Sequence, residues 1–278
     1  MDYMKIISKS LQNAWEYKFL WLFGLFVGWA GGGNGGGGGR VGSDHWHINP
    51  GLLVLIVLGA LFVGLIVFLL SVWSEGALIH GIRQTETNQP TDFTDCSQTG
   101  WKRYATIFGI KILAVLAVIA AMIASAIFLV PAFLASVVLG ILLCLLFVPA
   151  LIVLIFMIVA VESWALRFAM IRDMNWEASI TQGWRLLKSR TAKTIGVAFS
   201  SFLTKVVFSI GLLFIGLILA LPVLLLGIAT LGLALIPMII FGVILLLVFT
   251  AYLGTFGSSV WTIGFIQLTA PESEPEKA

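Results

Sequence analysis

Three stretches with helical periodicity alternate with long apolar runs along this chain. In the clearest of them, residues 176–190, apolar residues recur on one helical face and basic residues lie mostly on the other. This pattern predicts a helix in the plane of a membrane surface, with its rings toward acyl chains and its cations toward headgroups. Residues 3–18 and the stretch from Phe93 to Tyr104 have a similar pattern and predict two more such helices.

The runs between these helices predict membrane crossings, since about 20 apolar residues are needed to span a bilayer. The expected crossings are 19–30, 51–73, 105–129, 136–161, 195–221 and 233–266, with turns at 130–132 and 222–230. The first crosses only if its helix begins near Trp15 or the bilayer thins. The last is too long for one straight crossing, so either it kinks at its glycines or its inner part lies along the surface.

The expected fold class is therefore an all-α integral membrane protein. Six transmembrane helices form three hairpins, each preceded by a cytoplasmic amphipathic interfacial helix, in a single membrane domain over 1–266. Residues 267–278, rich in proline and glutamate, predict a disordered tail.

Composition supports this class. The chain is 60% hydrophobic and 10% charged, whereas a soluble domain carries roughly 25% charged residues. Such a chain cannot cover a water-facing surface. Its two cysteines, Cys96 and Cys144, stand far apart and predict no disulfide framework.

The three predicted surface helices align on their tryptophans, Trp15, Trp101 and Trp184, which are 86 and 83 residues apart. Small residues precede each tryptophan by one and by five positions: Ala14, Gly100 and Gly183, and Ser10, Cys96 and Ser179. A small residue lets a helix approach another backbone closely while the adjacent ring stays at the interface. The near-equal spacing predicts three copies of one unit, approximately 3–88, 89–174 and 175–266.

Charge predicts the orientation. Segments 1–18, 74–104 and 162–194, together with the tail, hold nearly all lysines and arginines, and the opposite side keeps only Arg40. This asymmetry places both termini and the three surface helices in the cytoplasm. A cationic layer also attracts anionic headgroups, so we expect membrane lipids as partners and no nucleic acid.

Four ionisable residues near the apolar runs are candidate polar residues of the membrane edge. Lys111 and Lys205 interrupt apolar stretches, and Glu75 and Glu162 stand at matching inner ends of the second and fourth crossings. An ionisable residue in a bilayer is a functional candidate. Because both lysines lie in the cytoplasmic halves, we expect their ammonium groups to extend to the headgroups. For the carboxylates, an ion pair is favoured over a proton relay.

Three other motifs bear on the function. The glycine run 31–39 has no preceding strand and no Gly-Lys-Ser/Thr ending, which excludes a P-loop. Asp44, His45 and His47 are one short cluster without a fourth ligand, so we expect loop residues and no metal. Lysines before the apolar run 19–29 also fit a cleaved signal peptide, but an internal repeat copy is the favoured interpretation.

Two stretches, residues 14–24 and 171–188, resemble prokaryotic multi-pass proteins related to the membrane domain of glycerophosphoryl diester phosphodiesterases and the YciC-like proteins. The similarity extends loosely over most of the chain, including residues 75–111. The chain as given holds no counterpart of the soluble catalytic domain, so the resemblance implies no phosphodiesterase activity.

The chain shows no HExxH, no GxSxG and no paired intramembrane aspartates, so we expect neither an enzyme nor a cofactor. The favoured function is a non-catalytic membrane protein whose basic cytoplasmic helices bind lipid headgroups or partner proteins. The alternative is a transporter or channel for a small or lipidic solute, with a path between the hairpins.

Overall fold

The computed structural model describes residues 3–31, 50–229 and 235–270, and every element in these ranges is an α-helix. In chain order the helices are α1 (Tyr3–Glu16), α2 (Leu20–Gly31), α3 (Pro50–Glu86), α4 (Phe93–Lys102), α5 (Tyr104–Ala135), α6 (Val137–Ile171), α7 (Trp176–Ser189), α8 (Thr191–Ala229) and α9 (Leu235–Thr269). The all-helical prediction is confirmed.

Among the described residues, five helices are long and apolar enough to cross a membrane: α3, α5, α6, α8 and α9. Helix α2 is apolar but has only 12 residues. At 1.5 Å per residue it is about 18 Å long, short of the roughly 30 Å hydrocarbon core. Five possible crossings are therefore present, and the predicted sixth rests on α2.

The predicted turn at 130–132 is wrong. Pro131 lies inside α5, and the chain turns instead at Ser136, whose backbone is extended at φ −162° and ψ 131°. Helix α6 likewise contains Pro149, and α8 continues through Pro222 to Ala229 rather than turning there. Apolar membrane helices tolerate proline because neighbouring groups re-satisfy the freed backbone. Residue 230, the end of the second predicted turn, lies outside the described residues.

The last predicted crossing is a single helix. Helix α9 runs unbroken from Leu235 to Thr269, so the inner part of the predicted crossing does not form a separate surface helix within the described residues. Residues 267–269, assigned to the predicted tail, belong to α9, where Leu268 is buried and extends the packed face. Positions 271–278 lie outside the described residues.

Contacts divide the chain into two compact units. Unit I comprises Asp2–Trp101 and Phe199–Gly264, and unit II comprises Lys102–Ala198 and Phe265–Ala278. In unit I, α2 packs along α3. In unit II, α5 packs along α6, and α6 contacts α7.

The buried residues concentrate at the C-terminal ends of three helices. Burial is continuous over residues 164–170 of α6 and 254–260 of α9, and nearly so over 71–82 of α3. Earlier in these helices the large apolar side chains are exposed, and α3 is exposed on every side from Gly51 to Ile66. Apolar helices in lipid have no hydrophobic drive to cover one another, so such exposure fits a membrane environment.

Candidate functional site

In unit I, helix α4 lies directly on the backbone of α3. A Cβ atom added at Gly100 would be 2.8 Å from the carbonyl oxygen of Trp73 and 3.1 Å from the amide nitrogen of Ala77. The Trp73 indole Nε1 donates a hydrogen bond to the Ser97 carbonyl at 3.2 Å. The next residue, Trp101, is 63% exposed. Glycine thus permits the close approach, and the adjacent ring points outward.

In unit II, helix α7 meets α6 in the same way. A Cβ atom at Gly183 would be 3.0 Å from the carbonyl oxygen of Val161 and 3.1 Å from the amide nitrogen of Ala165. The neighbouring Trp184 is 48% exposed. Two helices in separate units therefore use the same contact, in which a glycine covers one turn of a long helix.

This contact corrects one alignment. The backbone atoms under Gly183 are 88 positions after those under Gly100. By this register the counterpart of Glu75 is Ser163, and Glu162 is one position away. The predicted equivalence of the two glutamates is therefore wrong by one residue, because side-chain type was aligned without the packing register.

The predicted surface helices α1, α4 and α7 share one pattern of exposure. Their tryptophans are exposed, Trp15 also at 63%. The residue one position earlier and the residue five positions earlier are buried in each helix: Ala14, Gly100 and Gly183, and Ser10, Cys96 and Ser179. Ala14, Ser10, Cys96 and Ser179 are each 0% exposed. The small positions thus face protein while the rings face outward, and the duplication itself stays a prediction.

Polar contacts hold α1 and α4 to the end of α3 in unit I. Lys9 Nζ lies 2.7 Å from Glu86 Oε2, and Asn13 Nδ2 donates to Glu86 Oε1 at 3.2 Å. On α4, Asp95 Oδ2 lies 3.0 Å from His80 Nε2 and accepts a hydrogen bond from Gln84 at 2.6 Å. These contacts fix the short helices against a single rigid element.

Cys96 occupies the small position of α4, where its sulfur faces Gly81. Burial, and after it the charges of Asp95 and Asp92, raise the pKa of the Cys96 thiol to about 12. The thiol therefore stays protonated near neutral pH, where a buried thiol packs as a small apolar group.

Among the residues whose burial is described, three charged side chains are deeply buried. Glu75 is 9% exposed, Lys111 is 8% exposed and Arg167 is 2% exposed, with Arg167 Nη1 donating to the Ser163 carbonyl at 2.8 Å. Sequence reasoning treated Arg167 only as a surface cation. The expectation that Lys111 extends to the headgroups is wrong, because this part of α5 is packed and the adjacent Ile110 is buried as well. Glu162 is half-buried.

Lys205 is exposed, and its side chain extends across Gly257 of α9 within unit I. A Cβ atom at Gly257 would lie 2.8 Å from the Lys205 ammonium nitrogen. The expectation of an ammonium group that can reach the headgroups is compatible with this placement.

No group of histidine, cysteine and carboxylate residues able to hold a metal occurs within the ranges the structure describes. The Asp44, His45 and His47 cluster and the glycine run lie outside those ranges.

Sequence reasoning missed one close helix contact in unit I. A Cβ atom at Gly254 of α9 would collide with the carbonyl oxygen of Gly24 and lie 3.0 Å from the amide nitrogen of Gly28. Thr255 Oγ1 donates to the Leu20 carbonyl at 3.2 Å. The signal was present, because Gly24 and Gly28 form the GxxxG spacing that packs membrane helices. This contact joins α2 to α9.

No family model, no curated protein and no solved structure matches this chain. The resemblance to the phosphodiesterase-related membrane proteins therefore stays a prediction. The class that the fold defines is a helical protein whose described ranges hold five helices able to cross a membrane.

Proposed function

We propose that this chain is a non-catalytic multi-pass protein of the cell membrane whose basic interfacial helices α1, α4 and α7 bind lipid headgroups or partner proteins. One observation carries the proposal: each of these helices exposes a tryptophan beside a buried small residue. Tryptophan is the side chain enriched at membrane–water interfaces. A helix fixed to the protein through its small face presents that ring to the bilayer.

The proposed arrangement has six crossings in three hairpins, with both termini in the cytoplasm. The distribution of lysine and arginine supports this orientation. On α7, Arg185 and Lys188 are both exposed beside Trp184, which suits a helix that contacts anionic headgroups. Helix α2 supplies the sixth crossing if the bilayer is thinned around it.

Lipid binding by the purified protein tests this proposal. We expect phosphatidylglycerol to bind more tightly than phosphatidylcholine in native mass spectrometry of the detergent-solubilised protein. Changing both Arg185→Gln and Lys188→Gln should reduce that preference by about fivefold per charge removed. The matched control is Glu177→Gln, which changes charge in the opposite sense on the same helix. Equal affinity for the two lipids in the unmodified protein would contradict the proposal.

A second candidate, a transporter or channel for a small or lipidic solute, is favoured by the burial of Glu75, Lys111 and Arg167. Charged residues buried in membrane proteins often mark transport pathways. This candidate predicts solute flux in proteoliposomes that Glu75→Gln or Glu162→Gln abolishes. Flux that persists in both variants would reject a pathway through these carboxylates.

A further inference from the structure

Four aromatic rings form a continuous row in unit I. Ring centroids are 6.2 Å apart for Trp15 and Trp21, 6.0 Å for Trp21 and Tyr252, and 5.8 Å for Tyr252 and Phe208. The row thus crosses α1, α2, α9 and α8. Trp15 is exposed and the other three rings are half-buried, so the row reaches the surface along its length.

An exposed lysine stands at each end of this row. Lys18 Nζ lies 5.8 Å from the centroid of the Trp15 ring. Lys205 is one helical turn before Phe208, with its ammonium group beside Gly257. Within the described residues neither lysine has an acidic partner. Glu16, the acidic residue nearest in sequence, accepts a hydrogen bond from Gln12 at 2.9 Å.

Both lysines mark the start of an uncharged apolar stretch. Lys18 is the last charged residue before α2, and Lys205 is the last before the apolar part of α8. The Thr255–Leu20 hydrogen bond joins α9 to α2 two residues from Gly257 and from Lys18 respectively. Through these contacts with α9, the two ammonium groups stand at a similar level, where the apolar stretches of α2 and α8 begin and lipid phosphates meet a helix.

We infer that the row Trp15–Trp21–Tyr252–Phe208, with Lys18 and Lys205, is a binding surface for anionic phospholipid. The ammonium groups attract the phosphates, and the rings lie against the glycerol and the upper acyl chains. The Tyr252 hydroxyl has no hydrogen-bond partner among the described residues. The inference rests on the proposed function, which places this end of the helices at the inner leaflet.

The test compares phosphatidylglycerol and phosphatidylcholine binding to single-lysine variants by native mass spectrometry. Lys18→Gln and Lys205→Gln should each reduce the phosphatidylglycerol preference by about fivefold, and the double variant by more than either. Lys205→Arg keeps the charge and should keep the preference, which separates loss of binding from loss of folding. The comparison variant is Lys5→Gln, an exposed lysine on α1 outside the row, which should reduce the preference by less than either row variant.

The outcomes separate this surface from the general proposal. A larger loss in Lys18→Gln and Lys205→Gln than in Lys5→Gln supports the row. An equal loss in Lys5→Gln, or a loss only in the α7 variants, overturns the row and leaves headgroup binding by the interfacial helices in place. If no variant alters the preference, both ideas fail.

Discussion

Replacing Gly254 by alanine should destabilise the protein by roughly 1–3 kcal/mol, the usual cost of overpacking a close contact. The added methyl group would collide with the Gly24 carbonyl oxygen and lie 2.8 Å from its carbon. Both obstacles are backbone, so neither can rotate away and α2 must move off α9. The loss is measured as the change in unfolding free energy in mixed micelles containing increasing dodecyl sulfate.

The same helix supplies the control. An added Cβ atom at Gly242 has nothing within 4 Å. Gly242→Ala should therefore leave stability unchanged or raise it by up to about 1 kcal/mol, because alanine restricts the unfolded chain. Of the two substitutions, only Gly254→Ala is therefore expected to destabilise the protein. Equal destabilisation by both would show that α2 and α9 do not approach as described.

Replacing Gly183 by valine should release α7 from α6. The first added carbon would lie 3.0 Å from the Val161 carbonyl oxygen and 3.1 Å from the Ala165 amide nitrogen, and the two branches need more room still. We expect a cost of about 1–3 kcal/mol. It should be seen as faster hydrogen exchange of the amides of α7 while those in the middle of α6 keep their protection.

Ala178→Val is the matched control for this prediction, since Ala178 lies on the same helix and is exposed. It introduces the same branched side chain without a facing backbone, so its α7 amides should exchange at the parent rate. If Gly183→Val also exchanges at that rate, the close contact between α7 and α6 does not stabilise the helix.

Periodicity and composition predicted the fold class because membrane helices leave strong local signals. Runs of uncharged residues located α3, α5, α6, α8 and α9, and alternation with helical period located the short helices. Helix ends were less well predicted. Proline suggested turns at 131 and 222, yet both residues lie inside helices, since an apolar helix in lipid tolerates a proline that would break it in water.

The close helix contacts were predictable only where the residues of a single helix indicate them. The small residue before each tryptophan indicated a close helix contact, and Gly100 and Gly183 make such contacts. Which residues lie beneath these glycines depends on the packing register of the two helices. In that register, the alignment of Glu75 with Glu162 is off by one position. Burial of Lys111 and Arg167 depends on packing between distant segments, which no local pattern contains.

The aromatic row shows the same limit. Trp15 was identified from its helix, whereas Tyr252 and Phe208 gave no signal because they lie in uniformly apolar runs. Their alignment depends on α9 contacting both α2 and α8. Long-range contacts of this kind determine the surface that we propose for anionic lipid.

The most direct test of the central claim is the side of the membrane on which α7 lies. The measurement is labelling of a single cysteine at Lys188→Cys, in a chain with Cys96→Ser and Cys144→Ser, by a membrane-impermeant maleimide. Arg40→Cys, predicted to lie outside, is the positive control. If α7 rests on the inner leaflet, intact cells will label only at position 40, and position 188 will react after the membrane is opened. Labelling of position 188 in intact cells would contradict the account.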